Sequence, residues 1–118
     1  MRALLASLMV LALALPASAA FEGPDEKSAA DSVNTAARAL RAPDDAPCVL
    51  EGRIMARLPK EEHYRFQDAS GSIPVEIDDE LFAGQKVTPD SKVRLRGEVD
   101  VNDHGDREIE VKALEILE

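Results

Sequence analysis

The chain has 118 residues, enough for one small domain and too few for two of ordinary size. Its 23 acidic residues outnumber 14 basic ones, for a formal charge of −9. That balance repels phosphate backbones, anionic headgroups and polyanionic saccharides at long range, while leaving cations, basic peptides and neutral ligands admissible; a single cysteine excludes an intrachain disulfide.

The first residues carry an export signature. Arg2 precedes the apolar run ALLASLMVLALAL, and PASAA follows, with Ala17 and Ala19 as the small residues of a signal peptidase site. The run is too short and wrongly flanked for a membrane anchor. Cleavage after Ala19 is therefore expected, leaving no integral membrane segment, with a retained N-terminal anchor as the alternative. No cysteine stands at the cleavage point, which argues against a lipoprotein. Residues 1–19 are assigned to the signal peptide, 20–31 to an exposed lead-in with a turn at Gly23 and Pro24, and 32–118 to a single domain.

In SVNTAARAL, Ser32 is placed to cap a short helix, and Val33, Ala36, Ala37 and Leu40 recur on one face. The prolines and aspartates of RAPDDAP end it. Strand-like segments follow. CVLEGRIMARL puts Cys48, Leu50 and Ile54 on one side, with Gly52 where a bend or bulge is easiest. HYRFQD and SIPVEID form a hairpin through DASG, in which Asp68 caps the turn and Gly71 takes a positive φ. DELFAGQKVTPDS is a polar connection holding Phe82. KVRLRGEVDV and EIEVKALEIL pair across NDHGD. Five strands and a short helix outside the sheet indicate an all-β protein, a small and mostly antiparallel barrel. Closure removes exposed sheet edges from a domain with no disulfide.

Alternation assigns the faces. Tyr64 and Phe66 share one side of HYRFQD, and His63, Arg65 and Gln67 the other; Ile73, Val75 and Ile77 oppose Ser72, Pro74, Glu76 and Asp78. A small barrel needs a dense interior, so Tyr64 and Phe66 are expected in the core rather than in a stacking platform, with the Tyr64 hydroxyl at the rim. Val93, Leu95 and Val99 claim inward positions around Gly97. The outer face then carries Arg65, Gln67, Glu76, Arg94, Arg96 and Glu98. It is mixed in charge and lacks the basic groove with stacking rings of a single-strand binder. Cross-strand ion pairs on a solvated sheet are its plainest explanation.

Catalytic chemistry is thin. His63 and His104 lie on separate elements, and no pattern unites a nucleophile, a base and an orienting acid. DVNDHGDREIEV starts like a calcium loop, but His104 stands at position five and Val111 at position twelve, so it fails as an EF-hand. Asp100, Asp103 and Asp106, and the trio Asp78, Asp79 and Glu80, fit solvated turns better than cation sites. Cys48 fits a small buried hydrophobe better than a reactive thiol.

Taken together, FEGP, SVNTAARAL, PDD, VLEGRI, EEHYRFQDASGSIPVEID, LFAG and the VRLRGEVDV…EIEVKALEIL pair resemble the bacterial OB-fold (BOF) family of small periplasmic stress-tolerance proteins, the YgiW/YdeI-like group. The resemblance spans residues 21–118. It implies an OB-type barrel with an N-terminal helix, export to the periplasm, and a non-enzymatic role in tolerance of oxidative, acid, metal or antimicrobial stress. Two departures stand out. Phe82 replaces the family's usual tryptophan, which keeps stacking and loses an indole donor. Pro74 precedes VEID and, lacking an amide hydrogen, must sit at an edge or bulge. OB-type barrels commonly bind across strands two and three and the flanking loops. The expected ligand surface is therefore Arg65, Gln67, Asp68, Glu76, Arg94, Arg96, Glu98 and Asp103, for a small polar or cationic ligand or an envelope peptide or protein. No catalytic residue, metal ligand, cofactor or nucleic-acid partner is assigned. A structural or protein-interaction accessory of the cell envelope is the alternative.

Overall fold

The structure, a computed structural model, describes residues 33–118; the expected signal peptide, the lead-in and Ser32 lie outside them. The elements in chain order are helix α1 (Ala36–Ala39), β1 (Pro47–Arg57), β2 (His63–Asp68), β3 (Gly71–Glu76), a 3-10 turn (Asp79–Phe82), β4 (Val93–Val101) and β5 (Arg107–Ile116). The strands close a barrel in the order β1-β2-β3-β5-β4. Four pairings are antiparallel, and the closing seam between β3 and β5 is parallel and short, with Val75 opposite Ile109 and Glu76 opposite Glu110. This is the expected five-stranded, mostly antiparallel OB-type barrel with a short helix.

Alternation fills the interior as expected. Leu50, Phe66, Ile73, Val75, Ile77, Leu95 and Val99 are fully buried or nearly so, and the structure adds Ile109 from β5 to this set. Cys48 joins them, and burial, opposed by a hydrogen bond with the Gly97 backbone and aided by the Glu98 charge, pushes its thiol up to about 11. Pro74 sits one residue before the β3–β5 pairing begins, where its missing amide hydrogen leaves no gap in that ladder. Gly71, which closes the two-residue turn between β2 and β3 opposite Asp68, has the expected positive φ, at 151°.

Two local expectations are corrected. The bulge on β1 is at Met55, not Gly52: Ile54 pairs with Phe66 and Ala56 with Arg65, so Met55 is the unpaired residue. Gly52 serves a different need. A Cβ there would lie 2.7 Å from Phe66 Cζ and closer still to the Gln67 carbonyl oxygen, so only glycine lets β2 and its core ring approach β1 this closely.

The helix also differs. It is a single turn with Thr35 as N-cap, and it buries Ala36 and Ala39 while Leu40, its C-cap, is exposed. Val33 precedes the helix and bridges in parallel to Cys48, donating its amide to the Pro47 carbonyl and accepting from the Val49 amide. One turn cannot pay the nucleation cost of a helix from its own hydrogen bonds. The β2–β3 turn supplies the missing support: Ala36 N donates to Asp68 Oδ2 at 2.9 Å, and Ala37 N to Ser70 Oγ at 2.9 Å.

Candidate functional site

The eight residues expected to share a ligand surface fall in different places. Gln67 and Asp68 border a shallow outer groove of about 470 Å³ with Glu51, Arg53 and Lys92. Arg65 is exposed beside them on β2. Arg94 lies two strands away, its Nε 2.9 Å from Glu51 and its Nη1 2.9 Å from Glu115. Those carboxylates raise its pKa, the arrangement of cross-strand ion pairs on a solvated sheet. Arg96 and Glu98 are exposed further along β4, and Asp103 is exposed at the tip of the β4–β5 turn.

Glu76 is not near the Asp68 turn. It pairs with His63 at one end of the hairpin, whereas Asp68 pairs with Gly71 at the other. Asp68 is also occupied: its Oδ1 accepts from the Ser70 amide and hydroxyl at 2.8 and 2.6 Å, while Oδ2 holds the helix. Burial alone pushes its carboxyl up, but the hydrogen bonds from Ser70, Ala36 and Gly71 outweigh that and hold it below the ordinary value of 3.8.

A cleft lined by aromatic side chains opens where β1 bulges. Met55, Arg57, Tyr64, Phe82, Lys86 and Val87 are among the residues lining a cleft of about 390 Å³. Tyr64 is buried through most of its ring, as expected, and Phe66 entirely. Tyr64 nevertheless meets Phe82 in a T-shaped pair, with centroids 5.7 Å apart and planes at 73°. Arg57 lies over the same ring, its guanidinium carbon 5.4 Å from the centroid and its Nη1 3.4 Å from the Tyr64 hydroxyl. The polar connection delivers Phe82 by a specific device: Asp78 Oδ1 accepts from the Glu80 amide at 3.0 Å to start the 3-10 turn, and Ala83 ends it in the left-handed region at φ 50°. The bulge exposes Met55 on the same wall. Alternation along β2 accounts for the inward Tyr64, but no local pattern in the sequence signals that its ring meets Phe82.

His63 was missed. It occupies an outward position on β2 yet is only 5% exposed. Its Nδ1 is 2.9 Å from the Glu61 carbonyl oxygen, and its Nε2 faces Glu108 Oε1 and Oε2 at 3.2 and 3.3 Å. Among the described residues, side chains of ligand type converge in a group of three only at His63, Glu76 and Glu108. Asp100, Asp103 and Asp106, and Asp78, Asp79 and Glu80, form no such group. In the β4–β5 turn, Asn102 Oδ1 instead accepts from the amides of His104 and Asp106, each at 2.9 Å. Asp100 opposes Glu108, and burial, together with the charges of Glu108, Asp44, Glu110 and Asp45, raises its carboxyl pKa.

With this geometry established, similarity to known proteins is informative. The sequence profile of the family described as Bacterial OB fold (BOF) protein matches residues 14–116. The chain is 42% identical over 100 residues to the Calcium-regulated OB-fold protein CarO of Pseudomonas aeruginosa, covering 85% of this chain and 82% of that protein. It is 41% identical over 83 residues to Protein YgiW of Escherichia coli K12, covering 70% of this chain and 62% of that protein. The solved structure of the hypothetical protein ygiW from E. coli superposes with a TM-score of 0.68 at 38% identity, covering 83% of this chain and 98% of that one.

Proposed function

The chain belongs to the bacterial OB-fold (BOF) protein family, and from that premise we propose that it acts as a non-catalytic binding module of the cell envelope, exported to the periplasm and serving stress tolerance. Its ligand seat is the cleft at the β1 bulge. The observation that carries this reading is the Tyr64–Phe82 pair standing at the wall of an open concavity with Arg57 and Lys86 beside it. Ligand pockets combine apolar and aromatic lining with a few polar groups that fix orientation. Here Phe82, backed by the buried Tyr64 ring, and the exposed Met55 offer an apolar surface for the face of a sugar or an acyl group, and the two cations offer donors for a carboxylate or carbonyl. The ligand class is therefore a small polar envelope component such as a wall-derived glycopeptide fragment.

A second reading keeps the outer face as the binding surface, for a cationic ligand or an envelope peptide contacting Arg65, Gln67 and Glu76. The groove in which Glu76 stands with Glu62, Asp78, Glu80, Glu110 and a single cation, Lys112, favours it, because the excess of carboxylates attracts a positive partner.

Chemical-shift mapping during titration with a soluble disaccharide-peptide wall fragment separates the readings. Saturable shifts at Met55, Arg57, Tyr64 and Phe82 are expected. Shifts confined to Arg65, Gln67 and Glu76 would move the site to the outer face. No saturable response from wall fragments or basic envelope peptides would leave the protein-interaction accessory as the better account.

A further inference from the structure

We infer that His63, Glu76 and Glu108 form a binding site for one divalent transition-metal ion of the zinc class. The three residues come from β2, β3 and β5, which are consecutive around the barrel, so the site spans the parallel seam where the sheet closes. That seam has only two register pairs, and a shared ion would clip it.

The imidazole is already oriented as a ligand. A carbonyl oxygen only accepts, so the Glu61 carbonyl at 2.9 Å requires the hydrogen on Nδ1. Protein metal sites fix the tautomer and the ring plane of a ligating histidine in this way. Nε2 is then the coordinating nitrogen, and it points at both oxygens of Glu108. Metal–nitrogen and metal–oxygen bonds of about 2.0–2.1 Å at near-tetrahedral angles put neighbouring donor atoms roughly 3.3 Å apart, and Nε2 lies 3.2 and 3.3 Å from the two oxygens of the Glu108 carboxylate, either of which fits as the second donor. Glu76 supplies the third donor, with one ligand atom from each residue lying within 4.8 Å of the others. Three protein ligands leave a fourth position for water or an exchangeable group.

Lone pairs on Nε2 and on two carboxylates repel unless a positive charge sits among them. A proton on Nε2 would satisfy Glu108 alone. It would leave Glu76 with no ion-pair partner among the described residues, since the ion pairs there are His63–Glu108, Arg94 with Glu51 and Glu115, and Lys112–Glu110. A divalent ion accounts for both carboxylates and for the burial of the histidine. The groove beside Glu76 sets Glu62, Asp78, Glu80 and Glu110 against one cation, Lys112, which pairs with Glu110, and its net negative charge raises the local concentration of cations. The site is on the other side of β2 from Tyr64, so it stands or falls independently of the cleft.

Calorimetric titration of the chelator-treated full chain with Zn²⁺, with thermal melts run in parallel, tests the inference. One equivalent bound and a melting temperature raised by several degrees are expected. His63→Gln and Glu108→Gln should each weaken binding by at least the roughly tenfold that loss of an outer-shell partner costs, whereas Asp90→Asn, in the exposed loop before β4, should leave it unchanged. If His63→Gln fails to fold, Glu108→Gln and the ¹⁵N shift of the wild-type His63 Nε2 on adding Zn²⁺ carry the test. No saturable binding, or binding that survives loss of Glu108 with no change at His63 Nε2, would overturn the inference in favour of an imidazolium–carboxylate pair.

Discussion

Phe66 and Phe82 show how one residue type does two jobs in this protein. Phe66 is fully buried against Gly52, and Phe82 is half-buried on the cleft wall. Phe66→Ala should cost about 4 kcal/mol, the loss expected for a deleted core ring, and Phe82→Ala about 1 kcal/mol, in keeping with its partial burial. Urea denaturation of both variants measures this directly; equal costs would mean that Phe82 is core and the cleft is closed in solution. Cys48 allows a second check. Its thiol is buried and pushed up to about 11, so it carries little thiolate near neutrality and should react slowly with a thiol reagent at pH 8 until denaturant is added. Rapid labelling of the native protein would show that β1 opens at its start.

At the scale of elements, the one-turn helix and the β2–β3 turn form a single unit. Asp68 ties them, accepting from Ser70 within its own turn and from Ala36 at the helix start. Asp68→Ala should therefore destabilise the domain by about 1 kcal/mol, like the loss of a helix cap, and should broaden amide signals from residues 35–40 before those of the strands. The pH dependence has a definite sign. The folded carboxyl titrates below its ordinary value of 3.8. Its contribution is thus fully present above that pH and is lost as pH falls through the folded pKa. Comparing urea midpoints of the wild type and Asp68→Asn from pH 7 down to pH 3 should show the difference shrinking only below about pH 4. A difference that grew on acidification would contradict the assigned hydrogen bonds.

At the scale of the molecule, closure and charge dominate. A closed barrel has no open sheet edge to template aggregation, and the formal charge of −9 adds mutual repulsion. The cationic side chains are dispersed: Arg94 is engaged by Glu51 and Glu115, and Arg57 stacks on Tyr64. No useful affinity for single-stranded DNA or RNA at physiological salt is expected. Fluorescence anisotropy with labelled oligonucleotides checks it, and sub-micromolar binding that weakens with added salt would point to the outer face around Arg65, Arg94 and Arg96.

Strand alternation is a local property of the chain, and it was sufficient to place the five strands, the inward set from Leu50 to Val99, and Phe66 in the core. The turn chemistry of Asp68 and Gly71 was equally local, so the hairpin between β2 and β3 could be placed before any partner was known. What local pattern does not carry is register and closure. Alternation assigned His63 to the outer side of β2 but could not show that Glu76 and Glu108 meet it there, because their convergence depends on the parallel β3–β5 seam joining residues far apart in the chain. Nor could it show that Asp68 reaches back 32 residues to Ala36, or that the bulge falls at Met55 and opens a cleft beneath Phe82. Those contacts exist only once the barrel has closed and a common register has brought side chains from separate strands together, which is why the fold was accessible to sequence and the geometry of the candidate sites was not.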